Sequence, residues 1–229
     1  MAKYLSVKLS QFKSLAVPLV KRRTKLSFIR RLAKNTKLLD VGCGNDSPFR
    51  IKLQRPDVYY VGLDIDNYNQ TADVHSWADE YIVVPPKEFS RKIETFPNTF
   101  DAVVCAHNLE HCDDPDAVLN AILKSIKKGG RLYLSFPSEK SLSLPKRAPL
   151  NFYDDPTHKS PPNFDKTINT IRVAGLEIDF ARKQYRPPVP FMLGLVLEPF
   201  SYLTKWNIPL GSTWALWGFE TVIWASRPK

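Results

Sequence analysis

Short apolar runs that break at an acid, a glycine or a proline recur along this chain. Their spacing is that of buried parallel strands alternating with helices. Leu38-Leu39-Asp40-Val41 runs into Gly42-Cys43-Gly44-Asn45, and residues 59–65 (Tyr-Tyr-Val-Gly-Leu-Asp-Ile) form a second run ending at an acid. Residues 80–84 make a short third strand stopped by Pro85-Pro86, residues 100–106 a fourth and residues 131–136 a fifth. Between them the pattern is helical: a short helix from Pro48 to Leu53, another over 89–96, and a longer one that opens at Asp114-Pro115-Asp116. The longer helix has acids in its first turn and lysines in its last, through Lys128, with Gly129-Gly130 to stop it. Residues 67–79 are polar and irregular.

Beyond the fifth strand the pattern loosens. Residues 139–163 read as a polar, proline-containing insertion, 163–174 as a helix ended by Gly175, and 176–185 and 219–225 as two more strands. The stretch between those strands, 187–217, is apolar and rich in aromatics, with Phe191, Met192, Phe200, Trp206, Trp214 and Trp217 among them. A plain turn needs only a few residues, so this is a second insertion. At the other end Leu5, Leu9, Phe12 and Leu15 fall at helical spacing among Lys3, Lys8 and Lys13. Pro18 and Lys21-Arg22-Arg23 follow, then a second helical pattern of Leu26, Phe28, Ile29 and Leu32. No charge-free apolar core of a signal peptide is present, and the segment is too short and too charged to span a bilayer. Residues 1–20 suit either a membrane surface or a cover for the sheet edge; the 24–34 pattern reads as such a cover.

The charge is uneven. The net charge is +10, yet residues 1–37 contain eleven Lys or Arg and no acid, leaving 22 basic residues against 23 acids in the remainder. The chain divides into a basic helical arm, 1–37, and a nearly neutral body, 38–229. The arm seeks an anionic surface, lipid or nucleic acid. At 229 residues with a hydrophobic fraction of 43%, the body is one domain with a large core. Its three cysteines, Cys43, Cys105 and Cys112, form no disulfide or metal framework, which fits a reduced, cytoplasmic setting.

Candidate chemistry begins at the glycine loop. A strand that feeds Gly-x-Gly lets a ligand approach the main chain, and an acid about 20 residues on, Asp64, can accept hydrogen bonds from both hydroxyls of a ribose. A dinucleotide fingerprint needs a third glycine where Ser47 stands, ahead of Pro48. The stretch instead closely resembles motif I of the class I S-adenosylmethionine-dependent methyltransferases, an acid, x, Gly, x, Gly. The Phe-Asp-strand-helix-Gly-Gly-strand pattern from Phe100 extends the resemblance over about residues 38–138. It implies an α/β, Rossmann-like three-layer sandwich whose seven strands run 3-2-1-4-5-7-6, the last antiparallel. It also implies S-adenosylmethionine as cofactor, S-adenosylhomocysteine as product, and cofactor contacts from Asp40, Gly42, Cys43, Gly44 and Asn45. Asp64 and Ile65 would follow at the second strand, Glu88 and Phe89 after the third, and His107 and Asn108 at the end of the fourth.

The acceptor side centres on His107-Asn108-Leu109-Glu110-His111. The carboxyl end of a central strand is the ligand face, and in the family the motif after the fourth strand faces the acceptor. A histidine titrates near neutrality and can take a hydroxyl proton as the methyl moves. Glu110 and His111 are therefore catalytic candidates. So is His158, in an Asp-Pro-Thr-His segment resembling the acceptor loop of many bacterial members, some placed with surface-polysaccharide synthesis. Glu110, His111 and His158 are ligand types that suit divalent ions, but the short-spaced His107 and His111 straddle a strand end, and no metal is expected. The basic arm, the apolar insertion and the Asp-Pro-Thr-His loop together point to O-methylation of a sugar, a glycan or a lipid-linked precursor at the cytoplasmic membrane face. The 187–217 stretch is a candidate homodimer surface. Two alternatives stand: an RNA methyltransferase using the arm, which the neutral body disfavours, and a non-catalytic cofactor-binding or interaction protein.

Overall fold

The computed structural model describes residues 23–147, 150–204 and 211–229. Seven strands form one sheet in the order β3-β2-β1-β4-β5-β7-β6. They are β1 Lys37–Val41, β2 Tyr59–Asp64, β3 Glu80–Val83, β4 Phe100–Ala106, β5 Ile126–Pro137, β6 Glu177–Arg182 and β7 Glu220–Ser226. Pairings from β3 across to β5 are parallel, and β7 runs antiparallel to both β5 and β6. This is the implied order with its one reversed strand. The helices are α1 Lys25–Ile29, α2 Ser47–Gln54, α3 Phe89–Glu94, α4 Pro115–Ser125, α5 Phe164–Val173, α6 Pro188–Thr204 and α7 Ser212–Trp217.

Both faces of the central strands are covered, which is why they read as unbroken apolar runs. Leu39, Val103 and Cys105 share a buried cluster with Ile93 of α3, Ile122 of α4 and Ile171 of α5. Leu38, Ala102 and Val104 face the other way, toward Phe28 of α1, Ile51 of α2 and Trp224 of β7. α1 belongs to this layer. Phe28 packs edge-on to Trp224 at 5.3 Å between ring centroids, and the Arg23 guanidinium lies 4.7 Å from the Trp224 ring. Residues 25–37, grouped with the arm by their charge, thus pack as part of the body. The amphipathic pattern of residues 1–20 lies outside the described residues.

Three boundaries differ from the pattern. The helix from Asp114 ends at Ser125, not Lys128. The Ser125 hydroxyl closes the last turn on the Ile122 carbonyl at 2.7 Å, and the fully buried Ile126 is taken by the sheet, opposite Phe100. Strand β5 then passes through Gly129-Gly130 with an irregularity opposite residues 100–102. Strand β6 covers six residues of the ten expected. Tyr185 leaves the ladder to bury its ring in the layer of α1, although its amide still donates to the Glu220 carbonyl at 2.6 Å. The 187–217 insertion holds two helices, α6 and α7.

Candidate active site

The strand order reverses between β1 and β4, so the loops leaving those two strands meet, and a ligand crevice opens there. Gly42 sits at φ +71°, and a Cβ on it would stand 2.4 Å from Asn108 Nδ2. The Asn108 side chain therefore lies directly against the glycine loop. Asn45 and Asp46 also adopt left-handed backbone, at φ +57° and +56°. Gly44 answers a different need: a Cβ there would press to 3.1 Å on the Tyr68 ring and carbonyl. The polar segment after β2 clasps the loop. The Asn45 amide donates to the Tyr68 carbonyl at 3.0 Å, Gln70 Nε2 to the Cys43 carbonyl at 3.1 Å, and the Thr71 amide and hydroxyl to the Asp46 carboxylate at 2.6 and 2.7 Å.

Under the loop lies a saturated polar knot. Asp40 is fully buried; it accepts from Lys25 Nζ at 2.8 Å on each oxygen, from the Ser47 hydroxyl at 2.5 Å and from the Tyr60 hydroxyl at 2.7 Å. Asp40 was expected to touch the cofactor. Its partners are the protein's own, and it holds the loop from beneath, Ser47 bracing the position where a dinucleotide fold would carry glycine. Burial, together with the neighbouring Asp40 carboxylate, pushes the Tyr60 phenol well above its usual range. The Cys43 side chain is also turned into the core, where burial and the same acid push its thiol up; only its main chain serves the loop.

Asp64 closes β2, 7% exposed, and accepts from the Ile65 amide at 2.7 Å. Burial raises its pKa, and nearby Asp40 adds to this against the lowering by the backbone bonds. Ile65 beside it is half exposed, an apolar surface for a ring. These groups fit S-adenosylmethionine: a carboxylate for ribose hydroxyls, and a glycine loop with no room for a Cβ. After β3 the expectation is corrected in part. Glu88 is exposed, but the Phe89 ring is a core ring, 4% exposed, packed with Leu63 and Ile93.

At the end of β4 the chain turns sharply, with His107 at φ +52°. His107 Nδ1 lies 3.2 Å from Glu110 Oε1 and Nε2 lies 3.2 Å from Glu220 Oε1, while the ring packs against Trp214 and Phe219. Burial opposes its charge, but the two carboxylates outweigh that and raise the pKa to about 10. His107 was expected to contact the cofactor; both ring nitrogens are instead held by acids.

The three catalytic candidates come together. Glu110 is fully buried, and its Oε2 has no hydrogen-bond partner. The rings of His111 and His158 stand 4.7 Å apart. One ligand atom from each of Glu110, His111 and His158 lies within 4.8 Å of the others. Hydrogen-bond logic fixes both tautomers. His158 Nδ1 faces the Phe152 carbonyl at 2.6 Å, which only accepts, so Nδ1 carries the proton. Thr157 gives its hydroxyl proton to Asp155 at 2.6 Å, so His111 Nδ1, 2.9 Å from that hydroxyl, must donate to it. In the neutral form of each ring Nε2 is then the acceptor, and that of His158 also lies 3.8 Å from Asp155 Oδ2. Burial lowers the His111 pKa, opposed by Glu110 and reinforced by His158. The donor set can accept a hydroxyl proton, and the same three side chains could hold a divalent ion, although no metal was expected. The sequence reading missed Tyr68, Thr157, Trp214, Phe219 and Glu220. Trp214 was visible only as one tryptophan of an apolar stretch, and Tyr68 only as an aromatic, with Trp77, in a polar segment.

Comparison with known proteins agrees. A family model described as a methyltransferase domain matches residues 13–178. A ubiquinone biosynthesis O-methyltransferase from Saccharophagus degradans is 34% identical over 104 residues, covering 43% of this chain and 42% of that protein. The chain thus matches about two fifths of the length of that relative. An S-adenosylmethionine-dependent methyltransferase from Archaeoglobus fulgidus shares the fold at TM-score 0.54 and 17% identity, covering 96% of this chain and 93% of that one. A Haemonchus contortus phosphoethanolamine N-methyltransferase, solved with S-adenosylmethionine, shares it at TM-score 0.60 and 15% identity, covering 95% and 52%. With the strand order, the glycine cradle and the acid closing β2 in agreement with the matched domain, the chain belongs to the class I S-adenosylmethionine-dependent methyltransferases.

Proposed function

We propose that this chain transfers a methyl group from S-adenosylmethionine to a hydroxyl oxygen of a sugar, a glycan or a lipid-linked precursor. The cofactor supplies an already activated sulfonium methyl. The protein must align the acceptor, exclude water and take up the hydroxyl proton. The observation that carries the reading is the meeting of Glu110 with His111 and His158, one ligand atom of each lying within 4.8 Å of the others. Trp214, partly exposed and backed at 4.5 Å by the buried Phe219, keeps some aromatic surface beside His107 that suits a sugar or other ring. The relative's name, an O-methyltransferase, supports oxygen as the methylated atom.

The test is methyl transfer from labelled S-adenosylmethionine by the full chain to a panel of free sugars, lipid-linked sugars, phenols and amines. Label on an ether oxygen of a sugar is the expected outcome. Exclusive labelling of amines or of RNA would overturn the reading. A second reading is favoured by the orphaned Glu110 oxygen, which a proton-poor site leaves unsatisfied. On it, the three donors hold a divalent cation that lowers the pKa of the acceptor hydroxyl. Chelator that abolishes turnover, restored by added Mg²⁺ or Zn²⁺, selects this second reading. Unchanged turnover selects the histidine base.

A further inference from the structure

Helix α6 is built inside out. Its buried residues are Pro190, Gly194 and Ser201, which form one helical stripe of small side chains. Gly194 permits close docking of α7, since a Cβ there would stand 2.6 Å from the Ser212 carbonyl oxygen and 2.8 Å from Leu216 Cβ. The large apolar residues face outward. Met192, Leu195, Val196, Phe200, Tyr202 and Leu203 are all exposed, Val196 by 75% and Leu203 by 80%. The one acid of the helix, Glu198, is turned inward, where it pairs with Arg147 and accepts from Trp217 Nε1 at 2.9 Å. A helix that meets only water does the reverse, burying its large apolar side chains and presenting its charges.

Cations border this face. Arg182 and Arg186 are exposed just ahead of α6, with the Arg186 guanidinium 5.9 Å from the Phe191 ring in the first turn. Lys146 is exposed next to Arg147. We infer that α6 lies flat on an anionic lipid surface, its hydrocarbon face among the acyl chains and its flanking cations among the phosphates. With 17 residues the helix is about 25 Å long, and among the described residues no helix is long and apolar enough to cross a membrane. A second copy is the poorer occupant. Two copies would bring the exposed Lys146, Arg182 and Arg186 of each face against the same cations of the other, whereas an anionic bilayer attracts them. The inference does not rest on the acceptor proposed above.

Flotation of the full chain with vesicles of phosphatidylglycerol and phosphatidylcholine tests it. Binding that needs phosphatidylglycerol, and that falls at least about tenfold in a V196E/L203E variant of unchanged melting temperature and cofactor affinity, is the expected result. Three results would overturn it: no binding by the unaltered chain, equal binding by the variant (which would leave the arm as the anchor), or loss in the variant of a dimer formed by the unaltered chain. A second measurement covers a variant that fails to fold. An environment-sensitive dye on V196C, in a chain carrying C112S, should shift to the blue and brighten on the same vesicles. Cys43 and Cys105 are buried and do not compete for the label. An unchanged emission spectrum there would equally sink the proposal.

Discussion

Asp40 and Glu110 are both fully buried carboxylates, one at the end of β1 and the other just past the end of β4, yet they are left in opposite states. Asp40 is held by an ammonium and two hydroxyls. Glu110 has one oxygen on His107 and the other with no partner. A buried polar atom is nearly always satisfied in a folded protein. The satisfied acid belongs to the architecture that shapes the cofactor loop; on the proposed reading, the orphaned one beside His111 and His158 belongs to the acceptor site.

The contrast is sharpest in turnover. Glu110→Gln should cut methyl transfer by about 100- to 10,000-fold while costing less stability than loss of Asp40, because His107 keeps its second carboxylate, Glu220. Steady-state kinetics beside a urea melt reads both, and a variant that simply unfolds would erase the distinction. Asp40→Ala should do the opposite. It strands Lys25 and costs about 3–5 kcal/mol of stability; a melting temperature within a degree of the parent would show that the knot is not structural. Gly42→Ala lies between the two regions, because its Cβ meets Asn108. Backbone strain of about 1–3 kcal/mol should weaken S-adenosylmethionine binding by about tenfold or more in calorimetry, and unchanged affinity would detach the loop from the cofactor.

Acidity offers a smaller effect with a definite sign. The His111 pKa is lowered in the folded protein, so its neutral form is favoured and the unfolded chain binds the extra proton first. Activity and stability should both hold above the ordinary histidine pKa of about 6.5 and decline as pH falls below it; a flat acid limb in the rate profile contradicts this. His107 works the other way. Its pKa is raised to about 10, so its contribution to stability is complete below about 6.5 and is lost as pH climbs toward 10. A Glu220→Gln variant should flatten that alkaline decline, and an unaltered slope would remove the His107–Glu220 pair from the account.

The strand order and the glycine cradle were legible because they depend on local signals: apolar runs, an acid before Gly-x-Gly, an acid at the end of the next strand. The grouping of Glu110, His111 and His158 was also legible, since strand ends share one face. The direction of side chains was not. Asp40 and Cys43 sit in the motif, yet the alternation of a strand and its turn sends both side chains under the loop rather than into the crevice. Phe89 opens a helix whose first turn faces the core. Trp214 and Glu220 reach His107 only through the α6–α7 insertion, and no periodicity announces where such a detour returns.

The clasp of Tyr68, Gln70 and Thr71 over the glycine loop has a kinetic consequence. Exposed hydrogen bonds of this kind open at low cost, so they govern how fast spent S-adenosylhomocysteine escapes rather than how tightly fresh cofactor is held. Thr71→Val removes the bond from the Thr71 hydroxyl to Asp46. It should speed product dissociation in a stopped-flow chase while the equilibrium fold stays intact. Where release limits the cycle, weakening a contact that touches no reacting atom would make the enzyme faster.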